Sequence, residues 1–186
     1  MTCVETCPTL LRDPPQEATM QFPPLSSALI ALCLATANPA AAVTPREAPP
    51  LLDAIVLWLA ANFDLPAPAQ GPALVSVAEA DLVAMRYGPE ASVPPGLVVA
   101  VYDDTARTIY FSDGWTGRTP ADLSVLVHEM VHHLQASADM RFACPAAREA
   151  VAYEAQDAWL GLFGETLESA FGIDAASRLV GTVCTH

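Results

Sequence analysis

The chain contains no lysine. Its 8 basic residues are all arginines, set against 21 acidic ones in 186 positions, for a formal net charge of −13 at pH 7. With positive charge this scarce, no basic stripe is available to neutralise phosphates, and composition argues against a nucleic-acid partner. Long hydrophobic runs are missing as well. The mostly apolar run Leu25–Ala35 spans about 11 residues, against the ~20 needed to cross a bilayer, and prolines lie on both sides of it. Internal repeats are absent, as are low-complexity tracts beyond an enrichment in alanine and proline.

What is present suffices for one core. A 53% hydrophobic content over 186 residues fits one domain and is too little for two comfortable ones. Residues 1–42 read as lying outside it, because Leu25–Ala35 leads into Asn38-Pro39-Ala40-Ala41-Ala42, the apolar stretch and small-residue cleavage region of a signal peptide. Met20 offers an alternative start, which would leave Cys3, Cys7, Arg12, Pro14 and Pro15 untranslated. The rival reading, a membrane anchor, founders on the shortness of the run. The expectation is a single exported domain, periplasmic or secreted, over residues 43–186, with no stable membrane span. Of the five cysteines only Cys144 and Cys184 fall within it. In an oxidising compartment such a pair reads as a disulfide, which would tie the chain end near His186 to the start of a helix; two buried thiols are the alternative.

Apolar periodicity and turn chemistry lay out the elements. Leu51–Phe63 reads as a helix, 65–72 with its prolines and glycine as a loop, and about Ala78–Arg86 as a short helix ending at Gly88. Gly96–Tyr102 and Thr108–Phe111, rich in β-branched and aromatic residues, read as a hairpin. Thr119 as N-cap, Pro120 at the first helical position and Asp122 three residues after the cap open a helix that should run to about Ser137. Cys144-Pro145 opens another, to about Phe163, and a last one covers Asp174–Val183. The fold class is therefore α+β, a small and mostly helical domain with a short β-hairpin beside one of its helices.

Chemistry concentrates in His128-Glu129-Met130-Val131-His132. Residues four apart share a helix face, so His128 and His132 can aim ring nitrogens at one ion, while Glu129, about 100° round the helix, reaches the space beside it. Two imidazoles plus a carboxylate able to take a proton from water make up the H-E-x-x-H arrangement. Leu126, Val127, Met130 and Leu134 form an apolar stripe on the opposite side, suited to burial. A catalytic zinc takes three protein ligands, so one more donor is required. Glu149, seventeen positions after His132, shares a face with Ala152, Tyr153, Gln156, Leu160 and Phe163, where an unpaired carboxylate would be costly and a cation would remove the cost. Glu154 is the other candidate, but it shares its face with Ala147, Ala150, Asp157 and Gly161 and reads as solvated. His133 points about 100° away from His132 and suits a supporting or surface role. Tyr153 can hydrogen-bond a ligand or stabilise an oxyanion, or serve as a core aromatic. Asp122 is most simply a helix-start residue.

Val125-Leu126-Val127-His128-Glu129-Met130-Val131-His132-His133-Leu134 resembles the extended signature of zincin metallopeptidases, and Glu149-Ala150-Val151-Ala152-Tyr153 resembles the glutamate helix of their gluzincin branch. The chain is also similar to small exported bacterial proteins carrying the motif. The resemblance covers roughly residues 97–163. It implies a strand layer whose edge aligns an extended peptide, here the hairpin at 97–111, an active-site helix, and a glutamate helix completing a Zn2+ site. The implied activity is hydrolysis of a peptide or protein substrate, with Glu129 as the base. Many gluzincins carry an acidic residue four positions after the third ligand to orient a histidine; here that position is Tyr153, so the support must come from elsewhere, with Gln156 and Asp157 as candidates. Two other readings stand beside this one: a non-catalytic exported domain with a structural zinc or an acidic partner-binding surface, and a metal-free domain secured by the disulfide. Neither needs a carboxylate at position 129. Substrate and oligomeric state are not encoded in any motif found.

Overall fold

The structure is a computed structural model that describes residues 50–184. The signal-peptide reading of residues 1–42, its Met20 start, and His186 lie outside the described residues.

Six helices and three strands follow in the order α1 (Leu51–Phe63), β1 (Ala73–Val77), α2 (Glu79–Tyr87), β2 (Ala100–Asp103), β3 (Thr108–Ser112), α3 (Pro120–Ser137), α4 (Pro145–Gly161), α5 (Leu167–Phe171) and α6 (Ala175–Thr182). This is a small α+β fold. No helix among the described residues is long and apolar enough to cross a membrane.

The sheet has the order β1-β3-β2, with β1 parallel and β2 antiparallel to the central β3. Alternation along β3 divides the core. Ile109 and Phe111 are buried against α1, α3 and α4, whereas Tyr110 packs on the other side with Leu82 and Val83 of α2 and with Val98. The strands β2 and β3 are joined by a turn in which the Asp103 carboxylate accepts from the backbone N–H groups of Thr105 and Ala106. The expected hairpin is thus present, although β2 begins only at Ala100. Strand β1 was not anticipated. Its Ala73–Ser76 are exposed, so the run lacks the burial alternation that marks a strand, and it is ordered by pairing with β3.

Helix α3 is the central element. The Thr119 hydroxyl accepts from the Asp122 N–H at 3.0 Å, Pro120 occupies the first turn, and Leu126, Val127, Met130, Val131 and Leu134 are fully buried. The loop before it is fixed by the Trp115 indole, which stacks on Phe111 and donates to the Asp122 carbonyl at 2.9 Å. Gly117, at φ 66°, passes so close over that indole that a Cβ would lie 2.8 Å from it. Asp122 also accepts from Thr116 and Arg118, which extends its helix-start role to pinning this loop.

Helix α4 runs antiparallel to α3, because contacts descend from Ser124–Gln156 through His128–Glu149 to Gln135–Arg148. It ends at Gly161, short of the expected Phe163, which is 52% exposed and does not share the buried face of Glu149. The five-residue helix α5 was not anticipated; Thr166 and Ser169 cap it reciprocally. Helix α6 starts at the Asp174 cap and packs on α4, held by Arg178 to Asp157 at 3.4 Å and by a disulfide between Cys144 and Cys184, whose Cα atoms are 5.9 Å apart.

Candidate metal centre

His128 and His132 lie one turn apart on α3 and Glu149 lies near the start of α4, so the antiparallel packing of the two helices brings all three donors together. The two Nε2 atoms are 3.2 Å apart, and Glu149 Oε2 lies 3.2 Å from His128 Nε2 and 3.3 Å from that of His132. Ligands about 2.0–2.1 Å from a tetrahedral ion sit about 3.3 Å from one another. The triangle fits the face of such a tetrahedron.

The second nitrogen of each ring is held by a carboxamide, and at His128 the polarity of the network fixes the tautomer. The Ser124 hydroxyl donates to the Ala121 carbonyl at 2.7 Å and therefore accepts from Gln156 Nε2 at 3.3 Å. Gln156 Oε1 is thereby turned toward His128 Nδ1, 3.0 Å away, which must carry the proton. At His132, Gln135 donates through Nε2 to the Arg148 carbonyl, and its Oε1 lies 3.1 Å from His132 Nδ1. Arg148 Nε donates to His132 Nδ1 at 3.1 Å and to Gln135 Oε1 at 3.3 Å, so Nδ1 has both a donor and an acceptor beside it and its partners admit either tautomer. Two 2.7 Å contacts to Asp104, on the turn after β2, hold the guanidinium in place. With His128 Nδ1 protonated, its bare Nε2 lone pair converges with His132 Nε2 and a Glu149 carboxylate oxygen on one point, where the three could hold a cation.

In the metal-free protein burial pushes the Glu149 carboxyl up, but hydrogen bonds and positive charge from His128 and His132 outweigh it and hold the group well below the usual carboxylate range, so protons on the rings take the place a cation would take between the donors. Glu129 is 7% exposed, and burial pushes its carboxyl up, with His128 opposing. The Tyr153 hydroxyl is also raised, first by burial and then by Glu149, and its ring meets His128 edge-on at 4.8 Å between centroids. These groups line a cleft of about 310 Å³, walled on one side by residues 97–102. Because the Val99 carbonyl accepts from Ser112 N–H of β3, backbone alternation turns the polar groups of Ala100 and Tyr102 to the outer edge of β2.

His128, His132, Glu149, Glu129 and Tyr153 thus share one site. Glu154 is exposed on the far side of α4. His133 is neither at the surface nor beside the donors: it is 2% exposed and braces the fold between the Tyr102 hydroxyl at 3.0 Å and the Gln70 carbonyl at 2.9 Å. Gln156, rather than Asp157, supports a donor histidine; Asp157 instead accepts from the Leu167 N–H and pairs with Arg178. Sequence reading missed Gln135, Arg148 and Asp104. Gln135 carried a signal, since it follows His132 by three on the helix and so shares its face; Asp104 carried none, because only the fold brings it to Arg148.

In comparisons with known proteins, a family model described as "Domain of unknown function (DUF6647)" matches residues 44–171. That stretch contains all five site residues. No curated protein and no solved structure matches the chain.

Proposed function

For this chain, which belongs to the DUF6647 family, we propose a zinc-dependent hydrolase, and within that class a peptidase of the zincin type. The observation that carries the reading is the triangle of His128, His132 and Glu149, with donor separations of 3.2, 3.2 and 3.3 Å at the floor of an open cleft. A structural zinc is closed by a fourth protein ligand. Among the described residues the group contains three, and Cys144 and Cys184 are engaged with each other, which favours the catalytic reading.

Zinc bound there supplies Lewis acidity and a water of lowered pKa. Glu129 acts as the general base. Burial raises its proton affinity, so it can accept the proton of the attacking water and pass it to the leaving amine. Gln156 keeps the His128 imidazole in the tautomer that leaves Nε2 bare, and Gln135 with Arg148 holds the His132 ring in place. Tyr153, packed against His128 with its hydroxyl kept protonated, is the donor for the oxyanion that develops at the carbonyl. The edge of β2 presents Ala100 and Tyr102 backbone groups along which an extended peptide can pair. The disulfide is of the kind that persists in oxidising compartments, which supports export as the setting.

The test is metal content. The purified protein is expected to hold about one equivalent of zinc and Glu149→Ala much less, since three donors are the minimum for such a site. Glu129→Gln should keep its zinc while losing about 100-fold or more of any peptidase activity. A parent protein that stays metal-free under zinc-replete conditions would refute the proposal.

A further inference from the structure

The cleft also contains a cation that the reaction outlined above does not use. Arg86, in the last turn of α2, lines it together with Tyr87, Leu97 and the metal donors. Tyr87 and Leu97 are open to solvent, at 54% and 57% exposure, so they form an accessible mouth. The guanidinium lies over the Tyr87 ring, 5.8 Å from its centroid, a stacking that limits its wandering.

Arg141, Arg148 and Arg178 each form an ion pair with an aspartate, and Arg107 donates to the Ser137 hydroxyl; among the described residues Arg86 and Arg118 have no ion-paired or hydrogen-bonded side chain, and of the two only Arg86 lines the cleft. Among the described residues, no carboxylate lies within ion-pair distance of Arg86. The balance of charge in the cleft points the same way. With a divalent ion bound, Glu129 and Glu149 would together offset it and Asp104 offsets Arg148, which would leave the charge of Arg86, near enough to Glu129 to lower its carboxyl, as the excess in a molecule whose net charge is −13. Arg86 is itself exposed at this mouth, where an unpaired cation in an acidic protein attracts one negative charge, and a guanidinium fork matches a carboxylate in shape as well as sign.

We propose that Arg86 is a specificity-determining residue that anchors a carboxylate of the substrate, so that the cleft prefers peptides presenting either a free C-terminus or an acidic side chain at its mouth. The proposal rests on the zinc-peptidase reading for the word substrate, but the anchoring itself is a binding property and can be measured without turnover.

The experiment is calorimetry on the zinc-loaded Glu129→Gln protein with three peptides of one sequence: one with a free C-terminus, one amidated, and one amidated with a glutamate replacing an internal glutamine. At least one carboxylate peptide should bind about tenfold tighter than the neutral one, the size of one charge-assisted contact at an exposed site. Which of the two does so identifies the source of the carboxylate. Adding Arg86→Met should bring it down to the level of the neutral peptide, Arg86→Lys should recover part of the preference, and Arg141→Met, which removes an equal charge from an exposed arginine outside the cleft, should leave the preference intact. Equal binding of all three peptides, binding of none, or a preference that survives Arg86→Met overturns the proposal. Turnover by the parent protein is scored separately: cleavage without preference removes the anchor alone, and preference without cleavage removes the peptidase reading alone.

Discussion

The side chains that decide whether His128 can hold a metal do not all belong to its own helix. Gln156 on α4 fixes the proton on His128 Nδ1 because Ser124, held by the Ala121 carbonyl, fixes Gln156. Gln156→Leu keeps the approximate volume and removes the acceptor, so zinc affinity should fall about 10- to 100-fold, read by titration against a competing chelator. Glu154→Gln, on the exposed side of the same helix, should leave affinity unchanged and serves as the control. The donors themselves were legible from spacing, since four positions in a helix return to the same face. Gln156 was identified only as one of two candidates, and Arg148 with Asp104 not at all, because 44 positions separate that pair in sequence.

Among the elements, those with strong local signals formed where expected. Helices α1 and α3 have the expected bounds: an apolar pattern fills each, and the Thr119-Pro120 start gives α3 a sharp beginning. Strand β1 and helix α5 had no such signal, one being ordered by β3 and the other by its caps. Helix α6 is short, has no buried residue, and is held to α4 by the Arg178–Asp157 pair and by the disulfide across a sequence separation of 40. Closing a loop of that length removes chain entropy worth about 4 kcal/mol from the unfolded state. Reduction should therefore lower the urea midpoint, with a loss of about 2–4 kcal/mol, and Cys184→Ser should reproduce it without reductant. An unchanged midpoint would mean that α6 docks without the cross-link.

Over the whole molecule, acidity and the buried centre set the response to pH. Arg148 hydrogen bonds hold the Asp104 carboxyl below its ordinary range, and the paired histidines do the same for Glu149 against the pull of burial. Folded-state pKa values below the unfolded ones mean that both groups stabilise the fold above about pH 5 and lose that contribution as the pH falls through the lowered values. Glu129 has the opposite sign, since burial raises its carboxyl, so in the metal-free protein its ionisation opposes folding as the pH rises. The metal-free melting temperature should accordingly drop between about pH 5 and pH 3. Asp104→Asn should melt lower than the parent at neutral pH and converge with it in acid; parallel curves would show that the exposed bridge contributes nothing. The sequence by itself determined the α+β class and the helix carrying His128 and His132, and it favoured Glu149 over Glu154 and the cysteine pairing without deciding them, because each depends on local periodicity or on a small set of alternatives. Only the tertiary structure decided the donor separations, the His128 tautomer, the bracing role of His133 and the position of the unpaired Arg86 in the cleft. Each of these depends on which distant side chains the packing of α2, α4 and the sheet brings into contact, and no local pattern in the chain records that.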